Sequence, residues 1–155
     1  MSKHTDAEKC LYAAEWYLSR RLLTEKELRD KLREKRYDSE LINDTIAQIK
    51  DAELIDDRKY IGLYAEDASV LKKHGLSRIR RDLLLKGIDR DLLDEVLETL
   101  EIDDESQLAE EMSRKLENID INDRKQKERV FAYFARRGYG FNDIRRAFEH
   151  VKGEE

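Results

Sequence analysis

The chain has 155 residues, of which 43% are charged and 39% hydrophobic, and it carries no proline. This composition predicts helices with narrow buried stripes along almost the whole chain. No run approaches the roughly 18 apolar residues of a membrane span, the first residues lack a signal-peptide core, and the single cysteine excludes an internal disulfide framework. We therefore expect a cytoplasmic protein, and the net charge of −5 argues against a nucleic-acid binder that uses its whole surface.

The first predicted helix runs from about Ala7 to Arg21, and its inner face carries Leu11, Ala14 and Leu18. Cys10 on the same helix is expected to be a small core residue. Tyr12 and Trp16 lie four residues apart beside this inner face, and we expect them to pack against the following part of the chain rather than to contact a partner.

The second predicted group of helices begins after the cap candidates Asp56 and Asp57, with an inner face of Tyr60, Leu63, Tyr64 and Ala68. The next helix lies in "KHGLSRIRRDLLLKGID", residues 73 to 89. Ser77 is its predicted N-cap, Gly87 fits the left-handed residue that ends it, and Asp89 is placed to cap the helix that follows. That helix ending predicts a contact between Ile88 and Leu83.

The third predicted group starts near Ser106 and uses Leu108, Met112 and Leu116 on its leading helix. The polar segment "NIDINDRKQK" lengthens the loop after that helix. The acid pairs Asp56–Asp57 and Asp103–Asp104 fall at helix starts, where carboxylates cap backbone amides and interact favourably with the helix dipole.

A shift of 51 residues superimposes the apolar positions of three copies. The positions of the middle copy and their counterparts are Ile79, Leu83, Gly87, Ile88, Leu93, Leu97 and Leu100; Val130, Phe134, Gly138, Tyr139, Ile144, Phe148 and Val151; and Leu28, Leu32, Arg36, Tyr37, Ile42, Ile46 and Ile49. The sequence therefore predicts an all-α tandem array of three three-helix repeats, 1–55, 56–102 and 103–155. We expect it to be elongated and curved, with a surface suited to an extended partner.

Charge follows the repeats. Lys and Arg outnumber acids eight to four in 19–37, seven to two in 72–90 and six to one in 124–137, whereas 91–123 has thirteen acids and two bases. Basic middle helices are typical of a surface for phosphate or acidic protein, although a solvated helix face explains them equally well. The candidate binding residues are Arg78, Arg80, Arg81, Lys86, Lys72, Lys73, Arg136, Arg137, Arg145 and Arg146.

Catalysis finds little support in the sequence. His4, His74 and His150 are scattered without a triad or metal-site spacing, and no glycine-rich nucleotide loop has the strand context that such loops require. We expect no enzyme activity, cofactor, metal or small-molecule substrate.

Four segments carry a resemblance to a known family. They are "YLSRRLLTEKELRDKLREKRYD" (17–38), "LIDDRKYIGLYAED" (54–67), "HGLSRIRRDLLLKGID" (74–89) and "RVFAYFARRGYGFNDI" (129–144), and over nearly the whole chain the sequence resembles the RecX regulatory proteins of bacteria. The resemblance implies the three-helix-repeat fold and a modulator, usually inhibitory, of the RecA recombinase. Such a protein would lie in the groove of the RecA–DNA filament, limit its growth, strand exchange, ATP hydrolysis and co-protease activity, and meet single- or double-stranded DNA through the filament.

Two departures from the family pattern are visible. Arg36 stands where the family commonly has the glycine that ends the first middle helix, and the acidic total weakens the case for a strong direct grip on DNA. The alternative is an autonomous helical DNA-binding protein acting through the basic middle helices. Against it, the basic segments 19–37 and 72–90 carry no Asn or Gln to read adenine edges, and 124–137 carries only Gln126.

Overall fold

The structure, a computed structural model, describes residues 4–153, and these form nine α-helices without a strand. In chain order the helices are α1 (Asp6–Arg20), α2 (Glu25–Glu34), α3 (Ser39–Asp51), α4 (Asp57–Val70), α5 (Leu76–Leu85), α6 (Arg90–Thr99), α7 (Asp104–Leu116), α8 (Arg124–Arg136) and α9 (Phe141–Gly153). The predicted all-α class and the order of three groups of three helices are confirmed. Within 4–153, no helix combines the length and the apolar character that crossing a membrane requires.

Short polar side chains begin most of these helices. Thr24 and Glu27 form a reciprocal capping box at the start of α2. As the sequence predicted, Asp56, Asp89 and Asp103 each accept a backbone N–H three residues ahead, at distances of 3.2, 3.1 and 3.0 Å.

The three middle helices, α2, α5 and α8, end in the same way. Arg36, Gly87 and Gly138 have φ values of 66°, 86° and 94°. In each case the next residue donates its N–H to a carbonyl five positions back, including Ile88 to Leu83 at 3.2 Å. This is the hydrogen-bond pattern of a helix end closed by a left-handed residue, and it confirms the three-fold periodicity of this feature.

The chain divides into two compact units, one of the residues up to Leu63 together with Leu83–Leu97, the other of Tyr64–Asp82 together with the residues from Glu98. In the first unit the core holds Cys10, Ala14, Leu23, Leu28, Leu32, Ile42, Ile46, Ile49 and Ile55. In the second unit it holds Leu108, Met112, Leu116, Val130, Phe134, Tyr139, Ile144, Ala147 and Phe148. Nearly all the core positions predicted on α2, α3, α7, α8 and α9 are buried.

The buried face of α4 differs from the prediction. The buried apolar residues of α4 are Ile61, Ala65 and the predicted Ala68, and Ser69 is buried as well, whereas Leu63 is exposed. Tyr60 and Tyr64 are half-buried, and the Tyr64 hydroxyl lies 3.4 Å from the Asp82 carboxylate. The observed buried face thus carries Ile61 and Ala65 where the prediction placed the two tyrosines and Leu63.

The start of α5 was also misplaced. This helix begins at Leu76, so Ser77 lies inside its first turn and is not its N-cap. The Leu76 N–H donates to Asp104 at 3.2 Å, and the carbonyl of Gly75 accepts from Ile79. A carboxylate distant in sequence therefore satisfies an amide of the first turn.

Candidate functional site

Each unit contains a contact between the start of one middle helix and the end of the next. In the first unit the Thr24 hydroxyl donates to the Lys86 carbonyl at 2.7 Å, and the Glu25 N–H donates to Asp57 at 2.9 Å. We call this contact, with residues 21–27, 57 and 86, the first junction. It joins the capping box of α2 to the residue that follows α5.

The second unit contains a corresponding contact. The Gly75 N–H donates to the Arg137 carbonyl at 2.6 Å, and the Leu76 N–H donates to Asp104 at 3.2 Å. We call this contact, with residues 72–78, 104 and 137, the second junction. Positions 75, 76 and 137 lie 51 residues after 24, 25 and 86, so the two junctions occupy equivalent places in the repeat.

The second junction brings two backbones unusually close. A Cβ atom on Gly75 would lie 2.6 Å from the Gly138 carbonyl oxygen, and one on Gly138 would lie 2.2 Å from the Arg78 Cβ. Gly138 also has a left-handed φ of 94°. Glycine is therefore required at both positions, at one for space and at the other for space and conformation.

The carboxylates of the two junctions, Asp57 and Asp104, are affected by burial in the same way. Burial raises the pKa of Asp57 above its ordinary value, and it does the same for Asp104. In each case the backbone N–H that the carboxylate accepts works against the shift by favouring the charged form.

The second junction opens onto a depression of about 550 Å³ lined by Leu71, Lys72, His74, Arg78, Tyr133, Arg136 and Arg137. We call it the cationic depression, because four of its described lining residues are Lys or Arg and none is a carboxylate. Four of the ten predicted binding residues are thus brought together by elements that are far apart in sequence.

Two of these arginines are held in place by backbone oxygens. Arg78 Nη1 donates to the Arg136 carbonyl at 2.9 Å, and its Nε lies 3.6 Å from the Asp82 carboxylate. Arg137 Nη1 donates to the Lys72 carbonyl, and its guanidinium lies 4.6 Å from the centroid of the Tyr133 ring. A guanidinium has five N–H donors, so each arginine keeps donors for another group.

His74 adds a polar atom without a partner. Its Nδ1 is buried and has no hydrogen bond among the described residues. Burial lowers the pKa of His74, and the nearby Arg78 and Lys72 lower it further. The ring is thus favoured in its neutral form, and the cations here are the Lys and Arg side chains.

The other predicted binding residues lie elsewhere. Lys73 and Arg80 are half-buried and do not line the depression, and the exposed Arg81 is 3.8 Å from Asp82. Lys86 belongs to the first junction, where its Nζ lies 3.8 Å from Glu27. Arg145 and Arg146 are exposed on α9, and Arg146 pairs with Asp143.

Sequence reasoning missed Thr24, Gly75, Asp57 and Asp104 as junction residues. The signal was present, because the shift of 51 residues superimposes Thr24 on Gly75 and Lys86 on Arg137. The expectation that Tyr12 and Trp16 pack against the second repeat was wrong, since they are 74% and 52% exposed, whereas Cys10 is fully buried as expected. Within 4–153, no three His, Cys, Asp or Glu side chains form a group that could hold a metal ion.

Comparison with known proteins identifies the family. Residues 10–48, 56–97 and 103–148 match the first, second and third three-helix domains of RecX. The chain is 31% identical over 141 residues to Regulatory protein RecX of Clostridium botulinum (strain Alaska E43 / Type E3), a match that covers 88% of this chain and 66% of that protein. The chain therefore spans just under two thirds of the length of that relative.

Two further matches extend over a larger share of the related protein. Regulatory protein RecX of Haemophilus influenzae (strain ATCC 51907 / DSM 11121 / KW20 / Rd) is 33% identical over 124 residues, with 79% of this chain and 81% of that protein covered. The crystal structure of RecX from Lactobacillus salivarius superimposes with a TM-score of 0.76 at 25% identity, over 95% of this chain and 97% of that one. The fold is thus an array of three tandem three-helix domains, and the chain belongs to the RecX family of regulatory proteins.

Proposed function

We propose that this protein binds the filament that the RecA recombinase forms on DNA and modulates it, mostly by inhibition of strand exchange, ATP hydrolysis and co-protease activity. Membership of a family of regulatory proteins supports this proposal. In this proposal the protein acts by binding rather than by catalysis, and its partner places it in the cytoplasm.

The observation that carries the proposal is the cationic depression. Lys72, Arg78, Arg136 and Arg137 surround one space without a lining carboxylate among the described residues, on a chain whose net charge is −5. A local concentration of positive charge on an acidic protein favours a specific acidic partner over general attraction to polyanions. The other six candidate residues remain predicted contacts: Lys73, Arg80, Arg81, Lys86, Arg145 and Arg146.

The test is RecA-driven ATP hydrolysis on single-stranded DNA, with and without this protein. The informative variant is Lys72→Glu with Arg136→Glu, because both side chains are exposed and their reversal leaves the buried core unchanged. We expect the parent to inhibit hydrolysis. The double variant should need a concentration at least about tenfold higher for the same inhibition, because two charge contacts are lost.

The matched control is Arg33→Glu with Lys125→Glu, which changes the net charge equally at exposed positions of α2 and α8. It should inhibit like the parent. If parent, double variant and control all inhibit equally, the cationic depression is not the contact surface.

A second measurement separates filament regulation from autonomous DNA binding. Binding to naked DNA is titrated in rising salt, since phosphate contacts weaken steeply with ionic strength. Inhibition of RecA well below the protein concentration that coats free DNA supports the proposal. Inhibition that appears only together with DNA coating would favour the DNA-binding alternative.

A further inference from the structure

We propose that the cationic depression binds a carboxylate of an acidic protein segment, in the place that the chain's own Glu27 occupies at the first junction. This inference rests on the proposed function in taking the depression as the surface that meets the partner. It adds the chemical class of the group that the depression recognises.

The first junction shows how one carboxylate is held at this place in the repeat. The Glu27 carboxylate lies 3.7 Å from an Arg21 nitrogen and 3.8 Å from the Lys86 ammonium. It is largely enclosed, with 19% of the side chain exposed, and it also accepts the Thr24 N–H at 3.0 Å. The charge of this carboxylate is thus compensated by two cations within a single unit.

At the second junction both cations are kept and the carboxylate is lost. A shift of 51 residues takes Arg21 to Lys72 and Lys86 to Arg137, but it takes Glu27 to Arg78. The same shift takes Leu85 to Arg136, which adds a fourth cation. The equivalent place therefore changes from two cations around an acid to four cations around a depression.

The protein compensates this charge only in part. Asp82 lies 3.6 Å from Arg78 Nε and 3.8 Å from Arg81 Nε, and no described carboxylate lines the depression. The hydrogen bonds of Arg78 and Arg137 to backbone oxygens fix both guanidinium groups before any ligand arrives. Fixed donors lose less side-chain entropy on binding, so an incoming carboxylate meets a prearranged set of charged donors.

The geometry favours a carboxylate over a nucleic-acid backbone. The four cations surround one compact space with Leu71 and Tyr133 in its wall, whereas a nucleic-acid strand presents a row of phosphates and requires a row of cations. The equivalent place at the first junction is occupied by a glutamate. An acidic side chain, with an aliphatic stem for the apolar wall, fits both observations.

The experiment measures binding of an acetylated hexaglutamate peptide to the full chain by calorimetry at low salt, without RecA or DNA. The decisive variant is Arg78→Glu, which places an acid where the first junction has Glu27. We expect the parent to bind the peptide and this variant to bind it about tenfold more weakly or worse, from the loss of a charged contact.

Arg78 also donates to the Arg136 carbonyl, so a second variant protects the test against misfolding. Lys72→Gln with Arg136→Gln changes two exposed side chains, and it should also weaken peptide binding about tenfold. The matched control is Arg21→Gln, which removes the cation equivalent to Lys72 at the first junction and should leave peptide affinity unchanged. Circular dichroism and thermal melting establish that each variant is folded.

Three outcomes would overturn the inference: no binding of the peptide by the parent, equal binding by the parent and the folded variants, or tighter binding of a 5′-phosphorylated hexathymidylate that the same variants abolish. The last result would assign the depression to phosphate. This assay can be told apart from the test of the proposed function. Peptide binding can fail while Lys72→Glu with Arg136→Glu still weakens inhibition of RecA, and the parent can bind the peptide without inhibiting RecA.

Discussion

Arg36 adopts a left-handed backbone conformation, with φ 66°, at the position where Gly87 and Gly138 end the other two middle helices. A side chain in this conformation brings its Cβ close to the backbone, which costs on the order of 1 kcal/mol. The hydrogen bond from Tyr37 N–H to the Leu32 carbonyl, at 3.4 Å, holds the residue there. The cost is thus set by a helix end that the repeat requires, and the sequence pattern alone identified it.

We therefore predict that Arg36→Gly raises the free energy of unfolding by up to about 1 kcal/mol. Glu53, with φ 56° after α3, is a second site of the same kind and should respond to Glu53→Gly with the same sign. Chemical denaturation measures both. Unchanged or lower stability in the two glycine variants would mean that the greater flexibility of the unfolded chain outweighs the relief of strain.

Thr24 is fully buried and serves two hydrogen bonds at once. Its hydroxyl accepts the Glu27 N–H at 3.1 Å and donates to the Lys86 carbonyl at 2.7 Å. We predict that Thr24→Ala lowers the free energy of unfolding by about 2 kcal/mol, because the Glu27 N–H loses its N-cap acceptor and the Lys86 carbonyl loses its donor. Thr24→Ser keeps the hydroxyl and should lose less than half as much, so equal losses in the two variants would point to the methyl group instead.

At the scale of the element, the same contact is made by different atoms in the two junctions. A threonine hydroxyl reaches the Lys86 carbonyl, whereas the backbone amide of Gly75 reaches the Arg137 carbonyl. The loss of a side chain at position 75 is thus the condition for the closer approach, since a Cβ there would lie 2.6 Å from the Gly138 oxygen. The two repeats therefore make this contact at equivalent positions with different residue types.

We predict that Gly75→Ala lowers the free energy of unfolding by about 1–3 kcal/mol, the range of an overpacked contact whose backbone has to shift. The matched control is Gly62→Ala inside α4, where an added Cβ meets nothing within 4 Å. That variant should gain about 0.5–1 kcal/mol because glycine is a poor helix residue. If both variants changed in the same direction, the close approach at Gly75 would not be rigid.

The sequence predicted most elements because their information is local. Apolar spacing and short polar caps depend on a few neighbouring residues. The recurrence of apolar positions every 51 residues then showed which of them belong to the core. The prediction of the α4 face failed because it counted both tyrosines as core residues, whereas Ile61 and Ala65 are buried and the tyrosines are only half-buried. The prediction of the start of α5 failed because Asp104 supplies a hydrogen bond from a distant part of the chain. The repeat boundaries at 1–55, 56–102 and 103–155 stay a prediction.

At the scale of the whole molecule, counting charges identified ten candidate cations but not their grouping. Segments 72–90 and 124–137 were both recognised as basic, yet only tertiary structure places Lys72 and Arg78 beside Arg136 and Arg137. The replacement of Glu27 by Arg78 was readable in the aligned repeats. Its meaning was not, because the ion pairs of Glu27 with Arg21 and Lys86 depend on side-chain positions.

The two junction carboxylates, Asp57 and Asp104, both make the stability of the protein decrease as pH rises. Burial raises the pKa of Asp57 and of Asp104 in the folded protein, so the folded state holds their protons more tightly than the unfolded state does. Their contribution to stability is therefore largest below the unfolded pKa, falls as pH rises through the interval up to the folded pKa, and stays low at neutral pH.

Asp57→Asn with Asp104→Asn should remove this loss, because each asparagine keeps a side-chain oxygen for the Glu25 or Leu76 N–H without the buried charge. We expect the stability of the double variant relative to the parent to increase between acidic and neutral pH, as measured by denaturation across that range. Asp103→Asn and Asp123→Asn are the contrasting controls, since hydrogen bonds to Ser106 and Gln126 lower the pKa of those caps. The stability of these two controls relative to the parent should decrease between acidic and neutral pH. If both pairs of variants changed in the same direction, burial would not govern the junction carboxylates.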